Sequence, residues 1–216
     1  MSDASVAILV PVLNRPHRVE PLLASIAAAT PEQHSVIFAC SDQPTVDELD
    51  RVSARYIRDE GGDEGSWAIR INKLYKMVDE PYIFTGADDL AFRPGWFSAV
   101  MQQMNRVDGV VAVNDLLNGS GVHFVISRNY IETLGGTGDG IPGEVMHPAY
   151  RHAFADDEER HVAQFRNRWA YANDAIVEHM HPGAGKAPTD ETYAIGNASM
   201  GQGNAVFMSR RHLWGQ

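Results

Sequence analysis

The chain has 216 residues, 44% hydrophobic and 21% charged, which suits one domain with a substantial core. Its formal net charge of −10 excludes the basic footprint of a general nucleic-acid or membrane-surface binder, while leaving room for a small anionic ligand at a locally positive site. Cys40 is the only cysteine, so no intrachain disulfide forms, and no stretch approaches the length of a membrane span; a cytoplasmic protein is expected.

The opening "MSDASVAILVPVLNRP" lacks a basic leader and its apolar run is broken by Pro11, so it reads as a first strand rather than a signal peptide. The loop "NRPHR" leads to "VEPLLASIAAAT", of helical composition, and "HSVIFAC" is a second strand ending at "SDQPT". Helical spacing follows in "VDELDRVSARYI" and again in "WAIRINKLYKMVDE", before a strand in "PYIFTGADD". The second half gives a helix in "RPGWFSAVMQQMNRV", a strand in "GVVAVND", and a strand with a short helix in "GSGVHFVISRNYIETLGG". Residues 135–150 form a long loop rich in Gly and Pro, a kind that is often functional. A helix in "DDEERHVAQFRNRWA", a short strand in "AIVEHMHP" and a polar tail complete the chain. Strands alternating with helices predict an α/β fold with a parallel sheet. Its ligands are then expected beyond the carboxyl ends of the strands, where Asn14, Asp42, Asp88 and Asp89 fall.

Asp88 and Asp89 stand side by side where an apolar strand emerges. Adjacent carboxylates repel, and burying either is costly without a cation or donor, so the pair marks either a solvated turn or a metal site.

The order of these parts resembles the nucleotide-diphospho-sugar transferase (GT-A) fold, specifically family 2-like glycosyltransferases. The resemblance is carried by "ILVPVLNRPHRVEPLLASI", "VIFACSDQPT", "NKLYKMVDEPYIFTGADDLAFRPGW", "FADDEERHVAQFRNRWAYANDAIVEHMHP" and "KAPTDETY". Among such proteins the chain looks most like the compact ones encoded by actinobacterial phages. The resemblance implies a single GT-A domain over residues 1–216, with a mostly parallel Rossmann-like sheet, a donor half at about 1–96 and an acceptor half at about 97–216. It also implies transfer of a sugar from a nucleotide diphosphate, UDP-linked by preference, with Mn²⁺ or Mg²⁺ to stabilise charge on the leaving diphosphate. The acceptor would be a hydroxyl of a glycan, a small molecule or a protein surface, reached in the host cytoplasm if the protein is phage-encoded.

Residue by residue, the resemblance makes Asp89 the metal-binding aspartate of the DxD motif and Asp88 its middle position; Ala87 occupies the first, a departure that bears on the ribose contacts. Pro11, Leu13 and Arg15 would border the base, and Asp42 would accept its hydrogen bond, or else serve turn chemistry with Pro44. Arg70 and Asn72 fall in the donor-binding "ARN" pattern, with Arg70 suited to phosphate oxygens. The loop "EGGDEGS" would close over the donor. Asp156, with Asp157 as alternative, would be the base that takes the acceptor proton; Asp156 and Glu159 also fit a capping box. His179, or alternatively His181, would be the late metal-ligating histidine, and a zinc pair is a further reading of the two. His123, His147 and His152 fall in the acceptor region; Trp96 and Trp169 read first as core aromatics, with Trp96 the better sugar-side candidate of the two. A nucleotidyltransferase would want a Gly-rich phosphate loop with a lysine near the first strand, which "PVLNRPHR" lacks; a non-catalytic sugar-nucleotide-binding module is the third reading.

Overall fold

The computed structural model describes residues 4–62, 66–117, 119 and 121–216. Eight strands, β1 (Val6–Pro11), β2 (His34–Cys40), β3 (Arg55–Arg58), β4 (Tyr82–Thr85), β5 (Leu90–Phe92), β6 (Val110–Asn114), β7 (Phe124–Ser127) and β8 (Trp169–His179), line up in the order β3-β2-β1-β4-β7-β6-β8-β5. The first four pair in parallel, and β8 runs parallel to β6. β7 enters antiparallel between β4 and β6, and β5 pairs antiparallel with β8. The sheet is therefore mostly parallel, as the alternating pattern predicts, with antiparallel insertions that this pattern does not foretell.

Every residue of β1 is buried, because both faces of the sheet are covered. Val6, Ile8 and Val10 pack on one side against α1 (Pro16–Ala29) and α4 (Trp96–Val107). Ala7 and Leu9 pack on the other against α3 (Trp67–Tyr75), α5 (Arg128–Leu134) and α6 (Ala155–Phe165). In α1, Val19, Leu22, Ile26 and Ala29 recur at helical spacing on the buried face, and Pro16 occupies the first turn, where its missing N–H costs nothing.

Several boundaries differ from the sequence reading. The helix expected through Ile57 is α2 (Gln43–Arg51), and it stops because Ser53 turns left-handed at φ 53°; β3 follows as a short edge strand. The helix expected to reach Ala170 ends at Phe165, where Asn167 takes φ 57°, and β8 begins six residues earlier than expected. The polar tail holds two helices, α7 (Glu191–Ala198) and α8 (Met200–Arg210), which bury only Gly203 between them and so lack the apolar stripe that betrays a helix. Among the described residues no helix is long and apolar enough to cross a membrane.

One irregularity shapes the site. The β6–β8 register jumps from Val113 opposite Ala172 to Asn114 opposite Ile176, so β8 bulges and its second half swings over to β5. His179 thereby comes to lie opposite Leu90, next to Asp89.

Candidate active site

The strand ends of β1, β2, β3 and β4 open on one edge of the sheet. Just after β4, the Gly86 N–H donates to the Leu9 carbonyl at 2.9 Å. A Cβ there would stand 2.9 Å from the same oxygen, so only glycine permits this approach. The next residues, Ala87 to Asp89, are delivered to the sheet edge with both carboxylates almost wholly buried, at 6% and 4% exposure.

Arg15 reaches these carboxylates. Its Nη1 lies 3.0 Å from Asp88 Oδ1 and 3.7 Å from Asp89 Oδ2. Asp89 Oδ2 also accepts from the Tyr193 hydroxyl at 2.7 Å and lies 3.3 Å from His179 Nε2. Burial, then the neighbouring Asp89 charge, push the Asp88 carboxyl up to about 7 despite Arg15. Burial works against Asp89 as well, yet His179 and Tyr193 outweigh it and hold Asp89 below the usual carboxylate range.

Asp89 Oδ1 is buried without a partner, as are His179 Nδ1 and His123 Nε2. The His123 Nδ1 contacts the Thr85 carbonyl at 3.1 Å, and its ring centroid lies 5.2 Å from that of His179. Burial pulls the His123 imidazole down to about 4, which keeps it neutral. His181 lies past the end of β8; its Nδ1 accepts from the Gly183 N–H at 3.0 Å and caps the turn Pro182–Ala184. Of the two late histidines, His179 faces Asp89 and His181 stacks behind it, 5.1 Å away between ring centroids.

Among the described residues no three His, Cys, Asp or Glu side chains gather as a metal-binding group, so a closed zinc site is not formed. The Asp89 carboxylate and the His179 imidazole instead offer a half-shell of oxygen and nitrogen donors. Mn²⁺ accepts an imidazole beside a carboxylate, whereas Mg²⁺ would rely on the carboxylate; either takes its remaining ligands from substrate oxygens and water.

The other donor-side candidates are held by the framework. Arg70 is 1% exposed, buried rather than presented on the helix surface. Its Nε and Nη2 bind Asp59 at 2.8 and 3.0 Å, its Nη2 also binds Ser41 Oγ at 2.9 Å, and its Nη1 binds the Val12 carbonyl at 2.7 Å. It ties together the ends of β1, β2 and β3 instead of presenting its fork to a diphosphate. Asn72 clamps the long loop: its Nδ2 donates to the Met146 carbonyl at 2.6 Å, and its Oδ1 accepts from Val145 and Met146 at 3.0 Å. Asp42 caps α2 through Thr45 and accepts from the Asn14 N–H at 3.1 Å, the turn chemistry of the two readings offered by its sequence. Pro11 is buried at the end of β1, and Leu13 is half-buried, its carbonyl accepting from Thr192 Oγ1 at 2.7 Å. Trp96 is a core residue, fully buried among Phe84, Phe92 and Phe97, with its Nε1 on Thr30 Oγ1 at 2.9 Å; a sugar cannot reach it. The "EGGDEGS" loop spans 60–66, of which 63–65 lie outside the described residues.

Asp156 and Asp157 occupy the first turn of α6. The expected capping box is absent: the helix begins at Ala155 after a left-handed Phe154, so Asp156 lies one residue inside the helix and caps nothing. Asp157 pairs with Arg160, whereas Asp156 forms no such pair, and burial and the Asp157 charge push its carboxyl up to about 7. These effects outweigh the N–H groups of the helix start, which pull the other way. The segment leading to α6 is tethered to the Asp88 edge: Trp67 N donates to the Arg151 carbonyl at 2.9 Å and Trp67 Nε1 to the Gly86 carbonyl at 3.0 Å. Glu158 fixes the same helix start from behind, accepting from Arg210, Tyr150 and the Gly138 N–H. Of the loop histidines, His152 lies against Gly196 of α7, and His147 is 3.6 Å from Asp139.

Sequence reasoning gave no role to Asp59, Asp190 or Tyr193, although the last two fall within the segment "KAPTDETY" that carries the resemblance. Asp190 caps α7, a placement its position before "ETYAIGNA" could have suggested. For Asp59 the letters hold no comparable signal, and for Tyr193 only its place at the end of "KAPTDETY".

Residues 7–170 match the model of Glycosyl transferase family 2, well over half of the chain, and the chain belongs to that family. The matched span contains Asp88, Asp89 and Asp156 and stops before His179. Among solved structures, the chain is similar to glucosyl-3-phosphoglycerate synthase from Mycobacterium tuberculosis in complex with phosphoglyceric acid. The TM-score is 0.66 at 12% identity, covering 96% of this chain and 80% of that one. It is also similar to a mannosyltransferase from Pyrobaculum calidifontis in complex with GDP-Man and Mn²⁺, with TM-score 0.64, 14% identity, 88% of this chain and 59% of that one. A third is TarS of S. aureus, with TM-score 0.61, 11% identity, 95% of this chain and 72% of that one. At these identities the likeness establishes the GT-A fold. No curated protein sequence matches the chain.

Proposed function

We propose that this family 2 member is a metal-dependent, inverting glycosyltransferase that moves a sugar from a nucleotide diphosphate, UDP-linked by preference, to a hydroxyl acceptor. The observation that carries this reading is the buried Asp89–His179 pair at the end of β4, with Asp89 Oδ1 left without a partner. Asp89 and His179 would hold Mn²⁺ or Mg²⁺, and a cation bound there neutralises charge on the departing diphosphate. Arg15 sets a guanidinium beside the same carboxylates, suited to phosphate oxygens. Asp156 takes the acceptor proton, its carboxyl poised near neutrality as a general base requires. Supporting neighbours include a glucosyl-3-phosphoglycerate synthase complex with Mn²⁺ and UDP and a mannosyltransferase complex with GDP-Man and Mn²⁺. The assignment of about 1–96 to the donor and 97–216 to the acceptor belongs to this reading, as does action in a host cytoplasm, which rests on the sequence resemblance alone.

Calorimetry with UDP, GDP, ADP and CMP, each with and without Mn²⁺, tests it. One nucleotide is expected to bind only with metal, and Asp89→Ala to abolish that binding while the thermal melt stays cooperative. Metal-independent binding that survives Asp89→Ala would defeat the reading. Binding without transfer to any acceptor would favour a sugar-nucleotide-binding module.

A further inference from the structure

The C-terminal segment lies directly on the site. Asp190 grips Arg15 with both carboxylate oxygens, at 2.8 Å to Nε and 2.7 Å to Nη2. The Tyr193 ring covers the same guanidinium at 3.9 Å, and its hydroxyl occupies Asp89 Oδ2 at 2.7 Å. Thr192 fastens the stretch between them to the Leu13 carbonyl at 2.7 Å. The Arg15 fork thus faces a carboxylate supplied by its own chain, and the oxygen of Asp89 nearest His179 carries a phenol.

We propose that Asp190–Tyr193 is an internal occupant of the donor site, with Asp190 standing on Arg15 in the place of a phosphate and Tyr193 on Asp89 in the place of the cation. This rests on the donor-site reading above and adds a regulation to it: ligand must displace the segment. A carboxylate and a phosphate present similar oxygen pairs to a guanidinium, so the two exclude one another on Arg15. A cation held between His179 Nε2 and Asp89 Oδ2, the carboxylate oxygen nearest that ring, would likewise compete with the Tyr193 hydroxyl for that oxygen, and Oδ1 would add to its hold.

The segment is built to leave. α7 buries none of its residues, so polar contacts hold it rather than a core. Upstream, Gly185 turns at φ 69° with open space where a side chain would stand, held by its N–H on the Pro182 carbonyl at 2.8 Å, and offers a hinge. Lys186, paired with Glu178 at 3.0 Å, marks the near end of the moving part. Because one displacement frees both positions, cation and diphosphate each bear the opening cost when alone, and whichever binds second is spared it.

The test uses the full chain with Mn²⁺ and inorganic pyrophosphate, which reads the diphosphate position whatever the base. Asp190→Asn keeps the α7 cap, and Tyr193→Phe keeps the ring over Arg15 while removing the hydroxyl. Calorimetry on the double variant is expected to give about tenfold tighter binding of Mn²⁺ with pyrophosphate, the opening cost having been removed. Chymotryptic cleavage after Tyr193 in the wild type is expected to speed up when both ligands are added. Weaker binding in the variants with slower cleavage would make the segment a lid that contributes contacts, and would overturn displacement. Equal affinities and unchanged cleavage, with the wild type binding well, would overturn it too and leave the donor site standing. Absence of binding by wild type and variants alike, to pyrophosphate and to UDP, would remove the donor-site reading and this proposal with it.

Discussion

Two buried arginines, Arg70 and Arg15, sit at neighbouring strand ends and could hardly be set more differently. Around Arg70 the partners come from the framework itself: Asp59, Ser41 and the Val12 carbonyl use every nitrogen of the guanidinium. One cation faces one carboxylate, and the charge closes. Around Arg15 three carboxylates, Asp88, Asp89 and Asp190, face one guanidinium. Three polar atoms in the adjoining cluster, Asp89 Oδ1, His123 Nε2 and His179 Nδ1, have no hydrogen-bond partner among the described residues. Buried groups left in that state cost free energy that a folded chain ordinarily avoids. The rise of Asp88 to about 7 is one response to the surplus negative charge; a divalent cation would be another. What sets the Arg15 cluster apart from the Arg70 cluster is this combination of surplus carboxylate with donors and acceptors left unused.

If that division is right, substitutions on the open side change chemistry and leave stability alone. The largest such effect is expected at Asp156. Asp156→Asn should lower kcat by about 10²–10⁴-fold while nucleotide affinity and the unfolding midpoint stay put. A base works only when deprotonated, and this carboxyl is pushed up to about 7. Wild-type kcat should therefore climb as pH rises through about 7 and level off above it, and the Asn variant should lose that limb. A variant with the wild-type rate and profile would move the base elsewhere, Asp157 first.

On the closed side the order reverses. Arg70→Met should cost about 3–5 kcal/mol in urea unfolding, because it strands the buried Asp59 carboxylate without its cation. Replacing Asp59 as well, by Asn, should recover part of the loss. A stable Arg70→Met protein that no longer binds nucleotide would break the division, since Arg70 would then belong to the donor site after all.

What could be seen in the sequence follows the same line. Strands buried on both faces, such as β1, announce themselves as unbroken apolar runs, and the family parts stand in order around them. His179 could be placed because it ends a strand, and Asp89 because an apolar strand run leads up to it, although β4 itself stops at Thr85. Arg70 could not, since a buried helix arginine has the same letter as a surface one. Its partners lie 11, 29 and 58 residues away, one of them just past an unrecognised edge strand. Tyr193 meets Asp89 across 104 residues, through a helix with no buried stripe to reveal it. Contacts made only by tertiary folding leave no local periodicity, and those are the contacts that separate the two arginines.

The finest test of the division, and the smallest effect, is at Asp42. Its Oδ1 is used twice by Thr45, and its Oδ2 holds the Asn14 N–H, so it sits on the satisfied side. Burial alone would raise this carboxyl, but the Thr45 and Asn14 donors win and lower it. Its contribution to stability is therefore present above the unfolded aspartate range and lost as pH falls through the lowered value. Asp42→Ala should cost about 1 kcal/mol at neutral pH, as loss of an N-cap does, and the difference from wild type should shrink in acid. Asp42→Ser should restore most of that stability, since serine also caps. UDP affinity should be the same in the Ser variant as in wild type if Asp42 is scaffold. If the Ser variant keeps its melting temperature but loses about tenfold in UDP affinity, a difference of about 1.4 kcal/mol, Asp42 touches the base. One carboxylate would then serve framework and ligand together, and a full set of internal partners would no longer suffice to rule a residue out of the site.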